Sequence, residues 1–183
     1  MSLSSAKFVG GALVNDLNIE TNQPHTILND LGWEIYPKGL YNLIMQIKTQ
    51  WNKPVFVTEN GVADKADRYR APFIVAHLQE IKRAITDRAD VIGYLHWSFM
   101  DNYEWQEAYR PESKFGLYRI DRNTRDGHPD FNRQITKGAE AFKLIIEKSI
   151  THGAGENGVI LDFALSEAKD RFGSFTSDGS KVI

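Results

Sequence analysis

No cysteine occurs among the 183 residues. Disulfides, thiol nucleophiles and Cys-based zinc sites are therefore excluded. Long apolar runs are lacking too: Phe8 to Val14 is too short to span a bilayer, and no cleavage signature follows it. Neither sign of charge dominates, since 22 Lys and Arg stand against 24 Asp and Glu for a net charge of −2, with no basic stripe. Nucleic acid and membrane surfaces are thus not expected partners. The five histidines, at 25, 77, 96, 128 and 152, show no metal-ligand spacing, so no metal site is expected. What is present is globular: 42% hydrophobic and 11% aromatic residues, enough for one domain with a substantial core. A cytoplasmic protein is the expectation.

Residues 1 to 32 read as irregular, with a short strand at Lys7 to Val9 and then loop. From Pro37, the residues Leu40, Leu43, Ile44, Ile47 and Trp51 recur at helical steps, with the proline in the first turn. "PVFVT" has the length and β-branched content of a buried strand. Pro72 opens a second helix, with Ile74, Leu78, Ile81 and Ile85 on one face and Glu80, Lys82, Arg83 and Asp87 covering the rest. "DVIGYLHWSF" (90–99) is a second apolar run. A charged, aromatic loop follows to about Pro129, with a short strand at Phe115 to Ile120. A third helix carries Ile135, Ala139, Phe142 and Ile146 on its apolar side, residues 151–158 are Gly-rich, 159–172 form one more helix, and the last ten residues fray. Strands alternating with helices, both strands nearly all apolar, imply a parallel sheet covered by helices. In such folds the site lies at the edge where the strands end.

Two groups sit at that edge. "PVFVTENG" (54–61) ends a strand on Glu59 before a turn at Asn60 and Gly61. A strand-end glutamate often pairs with a buried arginine or caps a helix, and that role stays open. Its company points elsewhere. After the second strand come Trp97, Phe99, Tyr103, Trp105 and Tyr109, interleaved with Asp101, Asn102, Glu104 and Glu107. Aromatic faces beside carboxylates and amides suit a sugar, which offers an apolar C–H face and a rim of hydroxyls.

"VFVTENGVAD", "GYLHWSFMDNYEWQEAY" and "KFGLYRID" together resemble the C-terminal half of family 1 glycoside hydrolases, most closely the archaeal β-glycosidases with β-glucosidase and β-galactosidase activities. The resemblance runs from about Gly32 to Ile150. It implies a (β/α)8 TIM barrel of which this chain is an incomplete C-terminal portion, and hydrolysis of a β-linked glycoside with retention of configuration. By the resemblance, Glu59 is the catalytic nucleophile that would form a glycosyl-enzyme intermediate. Trp97 is the sugar platform, Glu104 accepts hydrogen bonds from the outer glycone hydroxyls, and Trp105 contacts the same sugar. A carboxylate at 104 disfavours a 6-phosphorylated substrate. No organic cofactor or metal is implied. Glu59 is expected to face a pyranose-sized hollow walled by the two indoles.

A retaining enzyme needs a second carboxyl group, roughly 5–5.5 Å from the nucleophile, as acid/base. The family carries it in Asn-Glu-Pro, and that tripeptide does not occur here. Glu34 reads as structural and Glu20 falls in unmatched sequence. A barrel also needs ~250 residues. The expectation is therefore a fragment: partial barrel over 1–150, a C-terminal extension over 151–183, and as partner either the missing N-terminal barrel part or a second copy. A non-catalytic, sugar-binding or self-associating remnant is the alternative.

Overall fold

The computed structural model describes residues 7–9, 12–14, 27–122, 124–125, 128–129, 131–151 and 159–183. The expectations for Glu20, His25, His152, the loop over 15–26 and the Gly-rich stretch at 152–158 lie outside them. The pair β1 (Lys7–Val9) and β2 (Ala12–Val14) forms an antiparallel hairpin, adding one strand to the single one expected there.

Helix α1 (Pro37–Trp51) starts on its proline and ends at Asn52, whose left-handed backbone lets its N–H reach the Ile47 and Lys48 carbonyls. Ile44 is buried, Leu40 and Ile47 pack against the core, and Trp51, expected on the same face, stands in solvent at the last turn. Strand β3 (Val55–Asn60) pairs in parallel with β4 (Val91–His96), from Val55 opposite Val91 to Asn60 opposite His96, with an irregularity between Val57 and Asn60. The crossover between them is α2 (Arg70–Thr86), the arrangement that alternating apolar segments predict.

Helix α2 is buried on nearly every side because α1, α3 (Lys137–Thr151) and α4 (Val159–Phe172) all pack against it. Fully buried Ile74 and Val75 contribute roughly 1.5–3 kcal/mol each. Its start is fixed by Asp64, whose carboxylate accepts the N–H groups of Arg68, Tyr69 and Arg70. Arg70 is wholly buried and donates to the Asp64 and Lys114 carbonyls and to Asp67; Asp67 in turn accepts the Lys137 N–H at the start of α3. One guanidinium thus ties together the exit of β3, a distant loop and two helix starts.

Other expectations change as well. Glu80 is buried, not on an outer face, because Ser177 donates to its Oε1 and Arg83 pairs with its Oε2. The apolar side of α3 is met in part: Ala139 faces the core and Phe142 packs against it as expected, whereas Ile135 lies in β8 (Arg133–Ile135), Ile146 is exposed, and Ala141 and Ile145 are buried instead. Thr136 sets this start by accepting the Ala139 N–H. The last ten residues do not fray. Phe175 is 3% exposed, the Ile27 N–H reaches the Gly179 carbonyl, and the Lys38 N–H reaches the Ser177 carbonyl.

The expected strand at Phe115 to Ile120 shortens to β5 (Tyr118–Ile120), antiparallel to β8; β6 (Thr124–Arg125) and β7 (His128–Pro129) form a minimal hairpin. Among the described residues β3 pairs with β4 alone and no barrel closes. Val55 and Val57 meet the helices, whereas Phe56, Ile92 and Leu95 on the same two strands remain exposed. Each forgoes roughly 1–2 kcal/mol of burial. Among the described residues no helix is long and apolar enough to cross a membrane.

Candidate active site

The ends of β3 and β4 are held in contact by the residues that follow them. The Trp97 N–H donates to the Asn60 carbonyl at 3.0 Å. Gly61 permits this approach: a Cβ there would stand 1.7 Å from the Trp97 carbonyl oxygen. Beneath, the Tyr94 hydroxyl donates to Asn60 Oδ1 at 3.0 Å. Burial pushes the Tyr94 phenol well above its ordinary value. His96 is held neutral, its pKa lowered to about 3 by burial first and then by the charges of Arg70 and His77. Glu59, one residue before Asn60, is exposed.

The segment after Trp97 is zipped onto residues 115–118 by main-chain bonds: Ser98 to Phe115, Leu117 to Ser98, Tyr118 to Phe99, and Asp101 to Tyr118. Asp101, buried, completes the zip. Its carboxylate accepts the Gly116 and Ile120 N–H groups and pairs with Lys114 at 3.3 Å. Sequence reading placed Asp101 among the sugar-facing polar residues and missed this anchoring role. The pattern of one acid in an aromatic loop carries no signal for it. Asn60 and Tyr94 were missed as well, though the Asn-Gly turn marked the position.

The chain then reverses tightly. Glu104 and Ala108 exchange main-chain bonds, and Ala108 takes a left-handed conformation (φ 52°) to allow it. The reversal returns Glu104 to Trp97, whose indole N–H donates to Oε2 at 3.2 Å. The Glu104 carboxyl is pushed up from its ordinary value, first by burial and further by the negative charges of Glu59 and Glu107, against the Trp97 hydrogen bond. Glu59, Trp97 and Glu104, from three separate segments, thus share one electrostatic neighbourhood at one sheet edge. Beyond them Tyr103 meets Tyr109 edge-on at 5.3 Å, and the Arg122 guanidinium lies 3.9 Å above Tyr109.

Trp105 is not gathered into this group. It is 77% exposed, so the hollow expected between Glu59 and two indoles is not enclosed. A cavity of about 490 Å³ does adjoin Glu59, but it lies between α1 and β3, and Trp97, Glu104 and Trp105 do not line it. The physical reason is the open sheet: two strands give one wall of a site, not its circumference.

The model of glycosyl hydrolase family 1 matches residues 11–150. A β-galactosidase of Saccharolobus solfataricus is 44% identical over 97 residues, 53% of this chain and 19% of that protein. A 1,4-β-D-glucan glucohydrolase of Thermotoga neapolitana is 36% identical over 117 residues, 58% of this chain and 26% of that protein. The crystal structure of a hyperthermophilic β-glucosidase from Pyrococcus furiosus superposes with a TM-score of 0.60 at 35% identity, covering 77% of this chain and 28% of its own. The chain spans about a fifth of the length of the archaeal β-galactosidases it matches.

Proposed function

The chain belongs to glycosyl hydrolase family 1, and from that membership we propose that it is the nucleophile-bearing portion of a retaining β-glycosidase acting on β-glucosides or β-galactosides. One observation carries the reading: the Trp97 indole N–H holds the Glu104 carboxylate at 3.2 Å while the charge of Glu59 bears on that same carboxyl group. In this reading Glu59 attacks the anomeric carbon, displacing the aglycone and forming a glycosyl ester that water later opens. Trp97 underlies the sugar's C–H face. Glu104, oriented by Trp97, accepts hydrogen bonds from glycone hydroxyls, and its charge repels a phosphorylated glycone. Trp105 adds a second apolar contact once a partner segment presses it inward.

No Asn-Glu-Pro occurs in the 183 residues, so the acid/base carboxyl comes from outside these residues in this reading. The division follows: residues 1–150 are the barrel portion, and 151–183 an extension that straps its outer layer. The fold of the completed enzyme is an eight-stranded barrel, of which β3 and β4 are two staves.

The experiment combines the chain with the N-terminal remainder of an archaeal relative and assays 4-nitrophenyl β-glucoside and β-galactoside. Turnover is expected in the mixture. Glu59→Gln is expected to abolish it, because the amide leaves the attacking atom neutral and non-nucleophilic. Turnover that survives Glu59→Gln, or none with both parts folded and associated, refutes the assignment.

A further inference from the structure

We propose that the Tyr94 hydroxyl is a positioning group for Glu59: by holding Asn60 it fixes a bulge in β3 that turns the Glu59 side chain away from the helix layer. The nucleophilic role of Glu59 rests on the reading above; the aim of its side chain does not.

The bulge is read from the register. Val57 lies opposite Tyr94 and Asn60 opposite His96, so β3 takes three steps where β4 takes two. One residue of β3 is therefore extra, the signature of a bulge, and a bulge beside a site re-aims a side chain. Burial records the effect. Val55 and Val57 are buried among the core side chains, while Phe56 and Thr58 are exposed on the other face. Strict alternation would send residue 59 after the two valines and leave residue 60 outside. The reverse is found: Glu59 is exposed and Asn60 is buried. Without the extra residue the glutamate would enter an apolar layer, where an ionised carboxylate is costly.

A strand register slips unless it is pinned, and Asn60 is pinned twice. Its carbonyl accepts the Trp97 N–H, and its Oδ1 accepts the Tyr94 hydroxyl at 3.0 Å. Any residue at position 60 could make the first bond. The second requires a side chain with an acceptor on the helix side of the sheet, which is the side the bulge gives it. The donor itself comes from a fixed ring: Tyr94 packs against the core and meets Phe142 of α3 edge-on at 5.9 Å. Burial holds its phenol above the ordinary value, so the proton stays available for donation.

The lack of cysteine makes the aim of residue 59 directly measurable. Glu59→Cys gives the full chain a single thiol, and its rate of modification by a maleimide reports which face the position occupies. A cysteine is accepted on either face, so the main chain decides. Fast modification is expected in Glu59→Cys, with a fall of roughly two- to tenfold once Tyr94→Phe is added, the worth of one hydrogen bond. Asn60→Ala, which removes the acceptor instead of the donor, is expected to give the same fall, and adding both changes no more than one. It also serves if Tyr94→Phe does not fold, as checked by circular dichroism. Leu165→Val, a core change on α4, is expected to leave the rate alone. With Glu59 intact and the N-terminal remainder of an archaeal relative present, Tyr94→Phe is expected to lower kcat on 4-nitrophenyl β-glucoside by roughly ten- to a hundredfold, with KM within about twofold, because the attacking group is misaligned while the sugar contacts remain. Slow modification of Glu59→Cys itself, an unchanged rate in Tyr94→Phe and Asn60→Ala, an equal fall in Leu165→Val, or an unchanged kcat in Tyr94→Phe each overturns the proposal. Modification slowed as expected, with no turnover from any mixture, upholds the aiming of residue 59 and counts against the catalytic reading. Turnover that requires Glu59, with modification indifferent to Tyr94→Phe, does the reverse.

Discussion

Gly61→Ala tests whether the two strand ends are as tightly coupled as the site requires. The added methyl carbon would fall 1.7 Å from the Trp97 carbonyl oxygen and 2.8 Å from its carbon, both main-chain atoms that cannot rotate aside. The strand ends must part by roughly 1.5–2 Å to reach ordinary contact, a shift of the overpacking kind that costs about 1–3 kcal/mol. The Trp97 N–H bond to the Asn60 carbonyl stretches with it, and losing it adds about 0.5–1.5 kcal/mol. The total is on the order of 2–4 kcal/mol, or a fall in Tm of roughly 5–15 °C for a chain of this size. Thermal unfolding followed by circular dichroism reads it. Gly32→Ala is the control, because Gly32 has positive φ (79°) with open space around it, so that change costs only about 1 kcal/mol of backbone strain. A Gly61→Ala protein that melts no lower than Gly32→Ala would refute the coupling.

Two pH effects follow from the buried groups. The Glu104 carboxyl is raised in the folded chain, chiefly by burial. Its contribution is therefore present below the ordinary glutamate range and lost as pH rises through that range and above. Glu104→Gln should match wild type in acid and gain on it toward neutrality, measured by urea midpoints across pH; a constant offset would contradict this. His77, stacked on Phe73, has its pKa lowered to about 4 by burial, against its hydrogen bond to the Phe73 carbonyl. The unfolded chain takes that proton first, so stability drains as pH falls from about 6.5 to about 4, by roughly 3 kcal/mol from this residue alone. His77→Asn should flatten that slope, and an unchanged acid transition would dispose of the idea.

Much of the architecture was legible. Apolar periodicity located α1, β3, α2, β4 and α4, the last with the bounds found in the structure, because each is a local pattern meeting one core. What escaped depends on distant partners. The burial of Glu80 needs Ser177, nearly a hundred positions later. Thr136, which donates to the Leu117 carbonyl and accepts the Ala139 N–H, starts α3 one residue after Ile135, so Ile135 falls outside the helix. At the site, the Thr-Glu-Asn-Gly and Trp-rich segments marked Glu59, Trp97 and Glu104 for one edge. The link between Trp97 and Glu104 turns on Ala108 adopting a left-handed backbone, and alanine gives no warning of that.

The arginine that joins the helix starts has a practical reading at the bench. Arg70 is entirely enclosed, while Lys65 and Arg68, a few positions earlier, are in solvent. Trypsin acting on the native molecule can reach Lys65 and Arg68 in that short acidic and basic loop. The cleavage point at 70 stays shut until the whole assembly of exits and caps lets go. Cutting after Arg70, compared with cutting after Lys65 and Arg68, thus reports opening of that assembly.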